Sequence, residues 1–382
     1  MKITGVELRT VRMPLRSPFE TSFGVESERL AVLVRVVGDE LRHDHQPVPV
    51  QGWGECVAME APLYSSEYTD GAVDVLRTFL VPRLLAASAT GTDVTAELVE
   101  PLLAPFVGHR MAKAALEMAV LDAQLRGSGR SLAGYFGATR TSVPSGVSVG
   151  IQRSVPALLD VVGDYLAQGY VRIKLKIRPG WDIDPVEAVR ERFGDLVPLQ
   201  VDANAAYTLA DVRTLRRLDA FDLLLIEQPL AEDDLRQHAE LARQIATPVC
   251  LDESVVSVRA AADAIAMRAC QVINIKAGRV GGYLAARRIH DLCLANGIPV
   301  WCGGMLETGL GRAANAALAA LPGFTLPGDV SASDRFYERD ITAPFELEDG
   351  EIAVPTGPGL GVQPIQDALD EFTVTTEWIQ AG

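Results

Sequence analysis

The chain has 382 residues, of which 48% are hydrophobic, and a formal net charge of −15. This length and composition allow one large α/β domain and a smaller one, each with its own core. The negative charge argues against nucleic acid or an anionic membrane surface as a partner, because both bind clustered positive charge.

No apolar run approaches the length of about 18 residues that predicts a membrane span, and residues 1–8 alternate like a strand instead of forming a signal peptide. We therefore expect a cytoplasmic protein that does not bind a membrane. Five cysteines without a Cys-x-x-Cys spacing indicate neither a disulfide framework nor a zinc site. His43 and His45 lie in a polar stretch that predicts a surface hairpin loop.

The first 60 residues indicate three strands, at 2–13, 30–37 and 48–57. The predicted loop at 16–24 is apolar for its position. Its Phe19 and Phe23, and Tyr64 further on, either belong to the core of the small domain or line a substrate entrance. Helical spacing follows at 66–86, 92–103 and 109–127, so a three-stranded sheet with helices makes an α+β domain.

From residue 143 the pattern becomes a repeat of strand and helix. Strands are predicted at 143–149, 171–177, 198–203, 222–227, 248–252, 271–276, 298–303 and 323–328. Helices are predicted between them at 154–168, 183–193, 208–219, 232–246, 255–268, 280–296 and 307–321. Eight parallel strands with helical crossovers predict a closed barrel whose site lies at the C-terminal ends of its strands. An open Rossmann sheet is disfavoured, because no Gly-x-Gly-x-x-Gly follows the first strand.

Beyond Asp329 the repeat stops, and residues 345–354 predict a hairpin that turns at Asp349 and Gly350. We expect the tail to rejoin the amino-terminal domain.

Three predicted strands end in a carboxylate at a constant interval. Asp202, Glu227 and Asp252 are each separated by 25 residues. A strand–helix repeat of that length directs all three side chains to one centre, where we expect them to bind a divalent cation. A single such residue is more simply a helix cap, but caps do not require a common spacing.

Lysine is rare in this chain, because 35 Lys plus Arg residues include only Lys2, Lys113, Lys174, Lys176 and Lys276. Three of these five lie at predicted strand ends, with Lys174 and Lys176 on the same face of one strand. A desolvated lysine can lose its proton and an arginine cannot, so these lysines are candidate bases. The alternative, a solvated residue at a strand boundary, explains one lysine better than it explains the set.

This arrangement resembles the lysine-base branch of the enolase superfamily, and more closely the N-acylamino acid racemase / o-succinylbenzoate synthase family. The resemblance covers the whole chain, and it is carried by 170–177 with 179–182, by 226–230 and by 299–309. It implies a modified (β/α)7β TIM-type barrel (136–330) with an α+β capping domain formed from both termini (1–135 and 331–382). It also implies Mg2+ (or Mn2+ or Co2+) and a homo-oligomer.

By position, the resemblance makes Asp202, Glu227 and Asp252 the metal ligands and Lys176 and Lys276 the acid/base pair. Lys174 would bind the substrate carboxylate and tune the charge, and Asn204 and Glu253 would support the ligands. The predicted substrate contacts are Ser148, Asn204, Gly303, Gly304, Met305, Phe19, Phe23 and Tyr64. We also expect Arg279 to approach Lys276 and lower its pKa, and Lys174 to lower that of Lys176. Ala277 stands where the family pattern suggests proline, which affects only the turn.

The implied chemistry removes a proton α to a carboxylate, and a bound metal stabilises the enediolate that forms. We therefore predict racemisation of N-acyl (N-succinyl) amino acids, dehydration to o-succinylbenzoate in menaquinone biosynthesis, or both. Dipeptide epimerase and muconate cycloisomerase are alternatives within the superfamily, and a non-catalytic binding barrel is an alternative outside it. The epimerase usually has Asp-x-Asp at the eighth strand end, whereas this chain has Asp329-Val330-Ser331.

Overall fold

The computed structural model of the chain describes residues 1–20, 24–41 and 47–380. The strands are β1 (Lys2–Glu20), β2 (Val25–Leu41), β3 (Pro47–Cys56), β4 (Ser142–Pro144), β5 (Gly146–Val149), β6 (Arg172–Lys176), β7 (Leu199–Asp202), β8 (Ile226–Glu227), β9 (Val249–Leu251), β10 (Val272–Ile275), β11 (Val300–Cys302), β12 (Leu347–Glu348), β13 (Glu351–Ala353) and β14 (Thr373–Gln380). The predictions for Phe23, His43 and His45 lie outside the described residues.

The helices are α1 (Thr69–Val75), α2 (Val81–Ala89), α3 (Ala96–Leu103), α4 (Arg110–Gly127), α5 (Leu132–Phe136), α6 (Val155–Gln168), α7 (Ile183–Phe193), α8 (Val212–Arg217), α9 (Leu235–Leu241), α10 (Val258–Met267), α11 (Ala277–Val280), α12 (Tyr283–Ala295), α13 (Gly309–Ala319) and α14 (Gln366–Phe372). A π-helical turn, Leu76–Leu80, joins α1 to α2. None of the helices in the described part of the chain is long and apolar enough to cross a membrane.

The cap is an antiparallel sheet in the order β14-β1-β2-β3, packed on helices. β14 pairs with β1 from Gly5 to Val11, so the carboxyl-terminal segment does return to the cap sheet. The predicted loop at 16–24 is wrong in part, because β1 continues to Glu20. Its pairing with β2 shifts register after Pro14 and resumes at Phe19, opposite Glu26. Backbone pairing across this irregularity overrides the local sequence pattern.

Strand β3 lies directly against the backbone of helix α4. A Cβ atom at Gly52 would stand 2.2 Å from the Ala119 carbonyl oxygen, and one at Gly54 would stand 2.0 Å from that of Ala115. Two glycines facing an alanine-rich helix surface therefore allow a strand–helix contact closer than any side chain permits. This contact forms the core of the cap next to the barrel.

The barrel is a sheet of seven parallel strands in the order β11-β10-β9-β8-β7-β6-β5. The prediction of a full eighth strand at 323–328 is wrong. This segment makes only two isolated bridges, Phe324 to Val300 and Gly328 to Ser145, which join the two edges of the sheet. Pro322 and Pro327 each lack an N–H group to donate to a ladder. Arginine side chains donate hydrogen bonds to the carbonyl oxygens of this segment instead. Arg140 donates to the Phe324 carbonyl oxygen (2.6 Å), and Arg172 donates to the Pro327 carbonyl oxygen (3.0 Å).

Outside the barrel ring, β12 and β13 form the predicted hairpin, with positive φ at Asp349 (49°) and Gly350 (79°). This hairpin pairs with β4, which precedes the first barrel strand. Several barrel helices are shorter than predicted, for example α9, because their first and last turns are irregular loops.

Two buried glutamates of the cap bind the amino-terminal ends of barrel helices. Glu55 on β3 accepts hydrogen bonds from the Thr308 and Gly311 amides (3.0 Å each) at the start of α13. Glu117 on α4 accepts one from the Leu284 amide (3.0 Å) at the start of α12. The helix dipole favours a carboxylate at each position, so both contacts join the cap to the barrel.

These glutamates predict a pH-dependent stability. Burial raises the pKa of Glu55 to about 7 and that of Glu117 to about 8, against opposing amide hydrogen bonds. When folding raises the pKa of a carboxyl group, its contribution to stability is complete at a pH below the pKa of the unfolded state. This contribution is lost as pH rises through the pKa of the folded state. We expect the free energy of unfolding to fall between pH 5 and pH 8, by at most about 1.4 kcal/mol per pH unit for each group.

Chemical denaturation of the wild type and of Glu117→Gln at pH 5, 6.5 and 8 measures this effect. The variant should show a shallower decline, and the exposed control Glu338→Gln should follow the wild type. Parallel profiles for wild type and Glu117→Gln would contradict the assignment.

Candidate active site

The three predicted carboxylates lie at the C-terminal ends of adjacent barrel strands. Asp202 ends β7 and is in register with Glu227, which ends β8. Asp252 follows β9, the next strand of the sheet. All three side chains are fully buried. The parallel register therefore brings the three carboxylates to one edge of the barrel, as their spacing suggests.

The three predicted lysines reach the same edge. Lys176 on β6 donates to Asp202 Oδ2 (2.6 Å) and Asn204 Oδ1 (2.7 Å). Lys174, two residues earlier on the same face, donates to Glu227 Oε2 (3.0 Å). Lys276 follows β10 and donates to Asp252 Oδ2 (2.8 Å). Since β6 and β10 are separated by three strands, Lys176 and Lys276 face one another across the carboxylates.

The pairing of lysines with carboxylates shifts the pKa values of both kinds of group. Burial raises the pKa of Asp202, but the ammonium groups of Lys176 and Lys174 outweigh it and hold that pKa at about 2. Burial and the charge of Asp202 raise the pKa of Glu227. Burial lowers the pKa of Lys174, but Asp329, Glu227 and Asp202 outweigh it, so its pKa is raised. Lys174 is therefore held as a cation.

Arg279 binds the same carboxylate as Lys276 from the other side. Its Nη1 contacts Asp252 Oδ1 and donates to the Tyr64 hydroxyl (3.2 Å), which also accepts from Lys276 Nζ (3.1 Å). The helix α11 starts as expected, and Arg279 meets Lys276 through Asp252 and the Tyr64 hydroxyl, so its lowering of the Lys276 pKa stays a prediction. Burial lowers the pKa of Lys276, but the Tyr64 hydroxyl and Glu227 outweigh this effect, so the net shift is upward.

Four polar residues support these groups. Asn204, expected from the sequence, donates to Glu253 Oε1 (3.0 Å) and so joins Glu253 to Lys176. Asn274 donates to Glu227 Oε1 (2.7 Å), and Asp329 Oδ2 accepts from Lys174 (2.7 Å). Sequence reasoning did not assign these last two roles. Asn274 lies two residues before Lys276 on one strand, so the period of a strand would have placed both on the same face.

A cavity opens over these residues between cap and barrel. Five of the predicted substrate contacts line it together with Asn204: Phe19, Tyr64, Ser148, Gly304 and Met305. Gly303 lies behind Lys276 instead, because a Cβ there would stand 2.7 Å from Lys276 Cε. The lining residues that the sequence did not indicate include Glu26, Met59, Ser331, Arg335 and Phe336. Distant segments contribute them, and no local motif identifies such residues.

The donor set is compatible with a divalent cation. In the described ranges no three His, Cys, Asp or Glu side chains come close enough to share an ion, because the lysine ammonium groups pair with the carboxylates. Glu253 Oε2 and Asn274 Oδ1 are buried without a hydrogen-bond partner among these residues. The site thus has buried oxygen donors and a surplus of acceptors, which is the chemistry that hard cations select.

A barrel that holds opposed lysines and three carboxylates under a cap defines a class: an α/β-barrel enzyme that acts on a proton next to an anionic group. Residues 3–137 match the mandelate racemase / muconate lactonizing enzyme family, N-terminal domain, and residues 157–368 match the enolase C-terminal domain-like family. The chain belongs to the mandelate racemase / muconate lactonizing enzyme family of the enolase superfamily.

Individual relatives agree with this assignment. The chain is 66% identical over 380 residues to an N-succinylamino acid racemase from Amycolatopsis sp, covering 99% of this chain and 100% of the relative. It is 47% identical to an o-succinylbenzoate synthase from Geobacillus kaustophilus, covering 98% and 96% of the two chains. A crystal structure of an enolase superfamily member from Listeria innocua Clip11262 has a TM-score of 0.92 at 40% identity, covering 100% of both chains. Enzymes of this superfamily generally depend on a divalent metal ion.

Proposed function

We propose that the protein racemises N-succinylamino acids and also dehydrates a cyclohexadiene substrate to o-succinylbenzoate, the second reaction serving menaquinone biosynthesis. The observation that carries the proposal is the placement of Lys176 and Lys276 on opposite sides of three buried carboxylates. Relatives named for each activity match nearly the whole chain, which supports one site for both reactions. Both reactions begin with removal of a proton α to a carboxylate.

In this proposal each lysine serves one face of the substrate α-carbon. Lys176 Nζ removes the proton from one enantiomer, and Lys276 Nζ delivers a proton to the opposite face. In the dehydration one lysine removes the α-proton and returns it to the departing hydroxyl group, which leaves as water, while the second lysine remains a cation beside the anionic intermediate. Lys174, held by Asp329 and Glu227, provides a fixed positive charge for the substrate carboxylate. Tyr64 and Met305 line the same cavity above the site.

We further propose that Asp202, Glu227 and Asp252 would hold Mg2+, or Mn2+ or Co2+, with Asn204 and Glu253 as supports. The ion would supply positive charge to the substrate carboxylate. The sequence predictions of domains at 1–135, 136–330 and 331–382, of a cytoplasmic location and of a homo-oligomer belong to this proposal. The family resemblance supports them.

The structure gives a reason to prefer this function to dipeptide epimerisation. An epimerase needs a free carboxylate for the substrate ammonium, but both oxygens of Asp329 are engaged. Oδ1 accepts from Arg172 (2.8 Å) and Oδ2 from Lys174 (2.7 Å), and position 331 is Ser. The two cations hold the pKa of Asp329 well below its usual range.

Parallel assays of the purified protein test the proposal. The substrates are the cyclohexadiene precursor of o-succinylbenzoate, N-succinyl and N-acetyl amino acids, a dipeptide and a muconate. We expect turnover of the first two classes. Turnover of only the dipeptide or only the muconate would replace the proposed function by that alternative.

Arg279 should affect the two reactions differently. In Arg279→Gln, Asp252 loses one of its two cationic partners and holds Lys276 more firmly as an ammonium. Racemisation needs Lys276 neutral for one enantiomer, whereas dehydration needs only its charge. We expect kcat/KM to fall by about tenfold or more for racemisation and by less for dehydration. Equal losses in the two assays would refute this role, and exposed Arg243→Gln is the control.

A further inference from the structure

Arg335 lies in the wall of the substrate cavity, on the segment that follows the barrel. Its guanidinium carbon stands 4.7 Å from the ring centroid of Phe336, 5.0 Å from that of Tyr165 and 5.6 Å from that of Phe19. Its Nη2 donates to the Ser148 carbonyl oxygen (2.8 Å). Three aromatic faces therefore hold the guanidinium in a single position.

This guanidinium has no counter-ion in the part of the chain that the structure describes. No carboxylate of these residues lies within ion-pair distance of it, and its Nε is buried without an acceptor. The neighbouring cations differ, because Arg172 and Lys174 both pair with Asp329. Burial lowers the pKa of Arg335, with Tyr165, Tyr170 and Asp329 opposing. A partly buried cation without an anion is unfavourable, so its retention here calls for an anionic partner.

A second unsatisfied donor lies beside it. The Oγ of Ser148 is buried without a hydrogen-bond partner among the described residues and lines the same cavity. Ser148 on β5 is in register with Lys174 on β6, so this pair of donors lies one strand away from the cation of the active site. The cavity thus has two separate positive positions, one at the lysines and one at Arg335.

We propose that Arg335, with the Ser148 hydroxyl, binds a second carboxylate of the substrate, at the far end of its acyl group. The inference rests on the proposed function and deepens it, because it makes a terminal carboxylate the feature that distinguishes the preferred acyl group. A bidentate carboxylate on a guanidinium is the geometry that arginine favours over lysine.

The carboxylates near the cavity do not act as a counter-ion of Arg335. Asp334 is exposed and lies 3.5 Å from Arg16, and Asp329 is already paired. Glu26 lines the cavity, where burial raises its pKa and Arg29 opposes the shift.

Calorimetric binding and kcat/KM are measured for an N-succinyl amino acid and for its N-acetyl counterpart, which lacks the terminal carboxylate. We expect Arg335→Gln to weaken binding and kcat/KM for the N-succinyl compound by about 10- to 100-fold and to change those for the N-acetyl compound by less than about threefold. Arg335→Lys should recover part of the loss. The control is Arg339→Gln, which removes the same charge from an exposed position.

Equal losses for both compounds would show that Arg335 only supports the fold, and no loss for either would remove it from the site. The binding arm keeps this test independent of the proposed function. If the wild type turns over neither compound, the proposed function fails, while a selective loss of N-succinyl binding in Arg335→Gln would still support the subsite.

Discussion

Lys276→Ala is expected to abolish racemisation and yet to retain exchange of the α-proton of one substrate enantiomer in D2O. Lys176→Ala should do the same for the opposite enantiomer. The two ammonium groups lie on strands β10 and β6, on opposite sides of the carboxylates, so each can reach only one face of the α-carbon. Loss of a positioned general base typically lowers the rate by about 10²- to 10⁴-fold.

Proton NMR of each enantiomer in D2O measures both reactions in one sample. Lys2→Ala, an exposed lysine at the start of β1, is the control and should match the wild type. If either active-site variant exchanged both enantiomers, or if both variants favoured the same one, the two-base assignment would be wrong. A single-base site with a structural lysine beside it would then remain.

Loss of any one carboxylate that we propose as a metal ligand should have an effect of similar size. We expect Asp202→Asn, Glu227→Gln and Asp252→Asn each to lower activity by at least about 10³-fold. Each substitution replaces a carboxylate by a neutral amide of nearly the same shape, so it removes the charge and leaves the packing. The far-ultraviolet circular dichroism should be unchanged. Exhaustive chelation of the wild type should abolish turnover, and Mg2+ or Mn2+ should restore it better than Zn2+, because the proposed ligands are all oxygen atoms.

Each of these carboxylates also binds a lysine, so activity alone does not separate the two roles. Equilibrium dialysis supplies the second measurement, since a variant that lacks a ligand should bind the ion more weakly. The exposed Asp291→Asn should bind as the wild type does. Full turnover after chelation would overturn the metal prediction.

The regular parts of the barrel could be predicted from the sequence because its period is local. Each strand–helix unit contains its own apolar run and ends in a polar residue, so Asp202 and Glu227 reveal their register through spacing alone. The eighth strand could not be predicted correctly. Its apolar pattern persists, but Pro322 and Pro327 prevent a continuous ladder, and arginines from other segments bind the carbonyls.

Contacts between distant segments explain the remaining differences. Arg279 reaches Lys276 only through Asp252 and the Tyr64 hydroxyl, and Tyr64 comes from the cap. Likewise, Arg335 is one of many arginines in the sequence, and only its position against Phe19 and Tyr165 marks it as unusual. Such information is in the tertiary structure and not in any local pattern.

The contacts of Glu55 and Glu117 with barrel helices have a consequence for how substrate reaches the lysines. We expect a cap anchored in this way to resist swinging away from the barrel as a rigid body, because hinge rotation would break the hydrogen bonds that the two buried carboxyl groups accept from helix amides. We therefore expect passage of substrate and product to depend on local displacement of short segments such as 57–68, which carries Met59 and Tyr64 in the cavity lining. The speed of that displacement sets an upper limit on turnover.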